Sequence, residues 1–146
     1  MSSTPNFQAI LDEAPTEVVS PPPLPAGTYL TTVINGEYIE SSKKGTPGIE
    51  FTHRLISAEG DVDEDDLEAA GGLEGRTVKN TYWLTPDAAF MLDQFHENCG
   101  LDLSEGESRR NRNDQVINSQ VKVYIKHRTS PDGRIFLEVA RTLPAD

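Results

Sequence analysis

Between its strand-like runs, where apolar residues alternate with a period of two, this chain carries one segment of helical period, and its place in the order limits the folds open to the chain. Ala88, Leu92, Phe95 and Cys99 recur at helical spacing, with Met91 beside them. Thr85 reads as the N-cap of this helix, Pro86 as its first position, Asp87 as a first-turn acid and Gly100 as its stop. Strand-like alternation lies on both sides of it.

Before the helix come three such runs. Gly27–Ser41 is rich in β-branched and aromatic residues, and Asn35-Gly36 within it suits a bulge or bend better than a hairpin turn. Ile49–Ser57 puts Ile49, Phe51, His53 and Leu55 on one face, and Glu50, Thr52, Arg54 and Ile56 on the other. Arg76–Leu84 splits Val78, Asn80, Tyr82 and Leu84 from Thr77, Lys79, Thr81 and Trp83. After a polar connection over 101–118, Ser119–Arg128 and Arg134–Arg141 flank the turn Ser130-Pro131-Asp132-Gly133. The order β-β-β-α-β-β predicts an all-β fold with one helix. A helix between strands three and four is the arrangement of the five-stranded OB-fold barrel. The expected domain covers 27–142 and leaves a short tail, 143–146.

Two segments fall outside this pattern. Residues 1–26 read as an arm, with Phe7, Ile10, Leu11 and Ala14 on one side of a short helix and a stiff Pro-rich connector from Ser20 to Pro25. The arm is either frayed or docked on the barrel or a second copy, which gives a route to a homo-oligomer. Residues 59–74 hold eight acids and no Lys or Arg, and read as a mobile, unpacked excursion between strands two and three.

Charge follows these divisions. The net charge is −11, which taken whole opposes nucleic-acid binding. Without 1–26 and 59–74 the remainder is neutral, with 13 acids and 13 bases. Cys99 is the sole cysteine, so a disulfide within the chain and a cysteine-based zinc site are excluded, and Cys99 reads as a core filler. His53, His96 and His127 lack metal-ligand spacing, and the run Asp61–Asp66 lacks the spacing of a calcium loop. No nucleophile–base signature and no phosphate-binding glycine loop occurs. The expectation is a non-enzyme without a cofactor. It is expected to carry no signal sequence and no membrane span, and to lie in the cytoplasm.

Binding is the better supported chemistry. Single-stranded nucleic acid needs aromatics for base stacking and cations along the phosphates. The non-core face of strand three offers Lys79 and Trp83, strand two Arg54, and strand four Lys122, Tyr124, Lys126 and Arg128. Lys43, Lys44, Arg76 and Arg134 sit at turns and strand starts, while Arg109, Arg110 and Arg112 lie in the polar connection, read as a flexible loop. The competing reading is ordinary solvation, since lysines on an outward strand face also block edge pairing.

The runs Leu24–Tyr29, Ser42–Phe51, Gly75–Leu84 and Val121–Ile125 resemble a family of bacteriophage single-stranded DNA-binding proteins from replication and recombination modules. The resemblance covers about 24–142. It implies an OB-fold, sequence-tolerant binding of single-stranded DNA through Lys79, Trp83, Lys122, Tyr124 and Lys126, and replication or recombination proteins as partners. Such proteins often end in an acidic tail, and this chain does not; the acidic run 59–74 is expected to take that role, so that deleting 62–72 tightens binding at low salt. The alternative is a phage structural or assembly protein that uses the barrel as a scaffold.

Overall fold

The computed structural model describes residues 23–145. Their order is β1 (Gly27–Glu40), β2 (Pro47–Ala58), α1 (Glu64–Ala69), β3 (Thr77–Trp83), α2 (Ala89–Asn98), a 3-10 turn (Leu103–Glu105), α3 (Arg109–Gln115), β4 (Gln120–Thr129) and β5 (Ile135–Pro144). The strands form one antiparallel sheet in the order β3-β2-β1-β4-β5. β1 serves both halves because it is long and bends. Its pairing with β2 slips between Val33 and Asn35, leaving Ile34 as an extra residue. Just beyond, Gly36 lets the Phe51 ring approach the backbone: a Cβ there would sit 3.0 Å from Cε1.

The sheet does not close into the expected barrel. β3 and β5 are its two edges, and no backbone pairing joins them among the described residues. β5 has a register slip at Ala140, opposite Tyr124 and Ile125 of β4. Side chains span the seam instead. The Asn80 amide donates to the Tyr82 hydroxyl (2.8 Å), Thr142 lies beside that hydroxyl, and the Asn98 amide donates to the Thr142 hydroxyl (2.9 Å).

The curled sheet holds two core clusters. One gathers Val33, Ile49, Phe51 and Val121 under Leu92 and Phe95 of α2, with Val116. The helix starts later than predicted. Thr85 acts through its backbone carbonyl, which accepts from Ala88 and Ala89, and Ala88 is an N-cap without a side-chain bond. Met91, expected beside the core, is 51% exposed.

The other cluster contains Leu24, Tyr29, Leu55, Val78, Val123 and Ile125, together with Val62 and Ala70 from the acidic stretch. The expectation that 59–74 packs nothing therefore does not hold. Asp63 caps α1 by accepting from the Asp66 N–H (3.0 Å), and Glu64, Asp65 and Asp66 lie in the first turn, where the helix dipole favours anions. Val62 packs where a Cβ on Gly27 would be only 2.6 Å from it. The segment is an acidic cap on one end of the sheet, and deleting 62–72 would open the core.

Two more segments are better ordered than expected. Residues 101–118 contain α3, whose Arg109 grips Asp93 with two bonds of 2.8 and 2.9 Å. Leu24 and Pro25, assigned to the arm, are buried; Tyr29 donates to the Pro25 carbonyl and His127 to the Leu24 carbonyl, each at 2.6 Å. The proposed arm helix and its oligomer contact fall on residues 1–22, outside the described residues.

Candidate nucleic-acid interface

The unpaired seam between β3 and β5 carries two adjoining clefts. Backbone geometry explains why. Leu84 donates to the Pro47 carbonyl, and the Arg76 carbonyl accepts from Leu55, so the even-numbered residues of β3 face β2. The backbone groups of Thr77, Lys79, Thr81 and Trp83 consequently point towards β5. Along this seam run a cleft of about 670 Å³ and a neighbouring one of about 400 Å³, which share Asn80, Thr81 and Val139 as walls.

Trp83 stands at the larger cleft. Its ring lies against the backbone of Gly48, where a Cβ would come within 2.8 Å of Cε3, and it remains 38% exposed. Phe90 and Met91 of α2, and Ala140, Arg141 and Leu143 of β5, line the same cleft. The smaller cleft holds Lys79, Arg128 and Glu138. Tyr124 and Lys126 reach the seam through partners: Arg141 stacks over the Tyr124 ring at 5.0 Å, and Lys126 lies 3.5 Å from Glu138. Lys79 is also 3.7 Å from Glu50 on the outer face of β2.

The remaining sequence candidates lie elsewhere. Lys122 is bound by Glu59 of the acidic cap at 2.8 Å, and the Arg76 guanidinium is bonded to the Ala70 carbonyl, so both help hold the cap. Arg54 sits on β2 between Thr32 and Thr77, and Lys43 and Lys44 sit in the β1–β2 turn; none of these three lines either cleft. Arg110 lies over the Tyr38 ring of β1 at 5.6 Å and lines neither cleft.

Sequence reasoning missed Arg141, Phe90, Met91 and Phe136. The slip at Ala140 changes which face the end of β5 presents, so simple alternation misplaces Arg141. Phe136 lies under two guanidinium groups, those of Arg128 (5.3 Å) and Arg134 (5.9 Å).

Electrostatically the seam sets Lys79, Lys126, Arg128 and Arg141 among Glu50 and Glu138. Asp61 accepts from the Thr28 N–H (2.9 Å) and hydroxyl (2.8 Å), and these bonds hold its carboxyl below the usual range, with a smaller contribution from Arg141. Burial pushes the Cys99 thiol up to about 12, which suits a packing residue and not a nucleophile. Among the described residues no cluster of three or more His, Cys, Asp or Glu is placed to hold a metal ion, and no helix is long and apolar enough to cross a membrane. No protein-family model and no curated protein sequence matches this chain.

Proposed function

We propose that this chain binds single-stranded DNA without strong sequence preference, on an OB-type scaffold, as a non-enzymatic protein of phage replication or recombination. The observation that carries the reading is the convergence of an accessible tryptophan with Lys79, Arg128 and Arg141 along one open seam. Stacking on Trp83 supplies sequence-tolerant affinity and the cations follow phosphates. The OB-type assignment rests on the strand order, with β1 bonded to both β2 and β4, and on α2 closing one end of the core before β4. The net charge of −11 is compatible with this because eight of the acids lie in the cap segment 59–74.

The test uses the protein's sole tryptophan. Oligo-dT is expected to quench Trp83 fluorescence, and affinity to fall with salt. Three phosphate contacts at about 0.7 each give a log–log slope of about −2. Undiminished fluorescence at saturating oligonucleotide in low salt would remove the proposal.

The acidic cap adds a second expectation. Glu64, Asp65 and Glu68 are exposed, so converting them to Gln, Asn and Gln leaves Val62 and Ala70 in place. The triple variant is expected to bind oligo-dT several-fold more tightly at low salt and equally at high salt, because exposed charges are screened there. Equal affinity at both salts would show that the cap exerts no electrostatic effect on the seam.

A scaffold role in assembly is the second reading. It is favoured by the exposed apolar pair Phe90 and Met91, and it predicts no quenching.

A further inference from the structure

We propose that the cleft of about 670 Å³ between β3, α2 and β5 is a nucleotide slot, in which one unstacked base lies against the open face of Trp83 with Phe90 and Met91, while Arg141 holds its phosphate. The inference rests on the reading above and narrows it to one subsite and one ligand class.

Four observations lead there. Trp83 has one side of its indole against Gly48, which fixes the ring and leaves its exposed surface to the cleft. A preset ring loses little freedom when a base stacks on it. Next, α2 buries Leu92 and Phe95, so folding already uses its core face. Phe90 and Met91 remain 61% and 51% exposed, and both line the cleft. Two adjacent large apolar side chains left in water contribute little to this fold, whereas a flat aromatic ligand would cover both. A thioether beside an aromatic ring is itself a favourable contact.

Third, Arg141 is prepared for an anion. It lies over Tyr124 at 5.0 Å and among the described residues makes no ion pair within 4 Å, although its charge reaches the Asp61 carboxylate, with which a phosphate would compete. Stacking orients the planar guanidinium and leaves its N–H edge for phosphate oxygens. Finally, the cleft has the size of a small-ligand site, within the range of about 300–1,000 Å³, and Gln94 contributes an amide to its wall. An uncharged aliphatic ligand would use neither the guanidinium nor the amide, and an aliphatic anion would leave the indole face unstacked; a nucleotide uses all three.

The experiment titrates the full chain with thymidine, thymidine monophosphate and oligo-dT, reading Trp83 fluorescence in wild type, Phe90→Ala and Arg141→Gln. Both side chains are exposed, so the variants should fold, with circular dichroism as the control. Thymidine monophosphate is expected to quench wild type at millimolar concentrations. Phe90→Ala should weaken it about tenfold, within the range for loss of one stacking partner. Arg141→Gln should weaken thymidine monophosphate and leave thymidine unchanged. If oligo-dT still binds with the expected salt dependence while neither substitution alters any of the three titrations, the slot is wrong and the DNA-binding reading survives. If oligo-dT does not bind wild type at low salt, both fall.

Discussion

Replacing Phe95 with alanine is expected to cost about 3–5 kcal/mol of folding stability. Phe95 is fully buried on α2 and meets three strand residues at once. Its ring centroid lies 4.8 Å from Phe51, 5.1 Å from Tyr82 and 5.8 Å from His53. Truncation removes those contacts and leaves a cavity that the sheet cannot fill without moving β2 and β3. Domains of this size have only about 5–15 kcal/mol in total, so the variant stands near the limit of folding. The effect should also reach the seam. Tyr82 is packed by Phe95, and its hydroxyl is one of the side-chain links between β3 and β5. Urea unfolding measures the loss through the midpoint and slope. Phe95→Leu, which keeps most of the volume, should lose less than half as much. A loss below about 1 kcal/mol for Phe95→Ala would mean that α2 does not seal this end of the core in solution.

What could be read from the sequence divides along physical lines. The five strands and α2 were legible because period-two and period-3.6 patterns record which face meets the core. His53 and Val78 fell on the inward faces that alternation assigns them, and both are buried. The acidic cap was not legible. Val62 and Ala70 are the buried residues of that stretch, with Leu67 and Leu73 partly buried beside them, and so few apolar positions among eight acids read as unpacked chain. His96 and Asn113 were missed for another reason. The His96 Nε2 and the Asn113 side-chain oxygen are 2.7 Å apart, a bond between positions 17 residues apart that neither segment announces alone. The position of Arg141 follows a slip at Ala140, and one extra residue in a strand leaves no mark in composition. Trp83 and Lys79 could therefore be named as outward residues, while the cleft that joins them to Arg141 could not.

Acid should unfold this protein earlier than its carboxylates alone would require, and His53 is the reason. The Thr31 hydroxyl has one proton, which it donates to the Val121 carbonyl at 2.8 Å. It must then accept from the His53 Nδ1–H, 3.0 Å away, which fixes the neutral tautomer with a bare Nε2. That Nε2 is buried with no hydrogen-bond partner, and the Phe95 ring stands edge-on to the imidazole. Protonation would place a charged N–H where nothing accepts it. Burial accordingly pushes the His53 pKa down from 6.5 to about 4. The sign follows from proton counting: between these values the unfolded chain binds a proton that the folded chain refuses. The contribution is complete above pH 6.5 and is lost as pH falls towards 4, amounting to about 3 kcal/mol there at about 1.4 kcal/mol per unit. His96, also lowered mainly by burial, acts in the same direction. Asp61 and Asp93, held below the usual carboxylate value, act at lower pH. The measurement is therefore a difference: urea unfolding of wild type and His53→Gln at pH 7.5, 5.5 and 4. Glutamine is expected to be the less stable at pH 7.5, because it gives up the imidazole's packing, and the gap should shrink by about 3 kcal/mol by pH 4. Parallel pH profiles for the two proteins would mean that His53 takes up its proton in the folded state as readily as in the unfolded one, and that the buried Thr31–His53 arrangement is absent in solution.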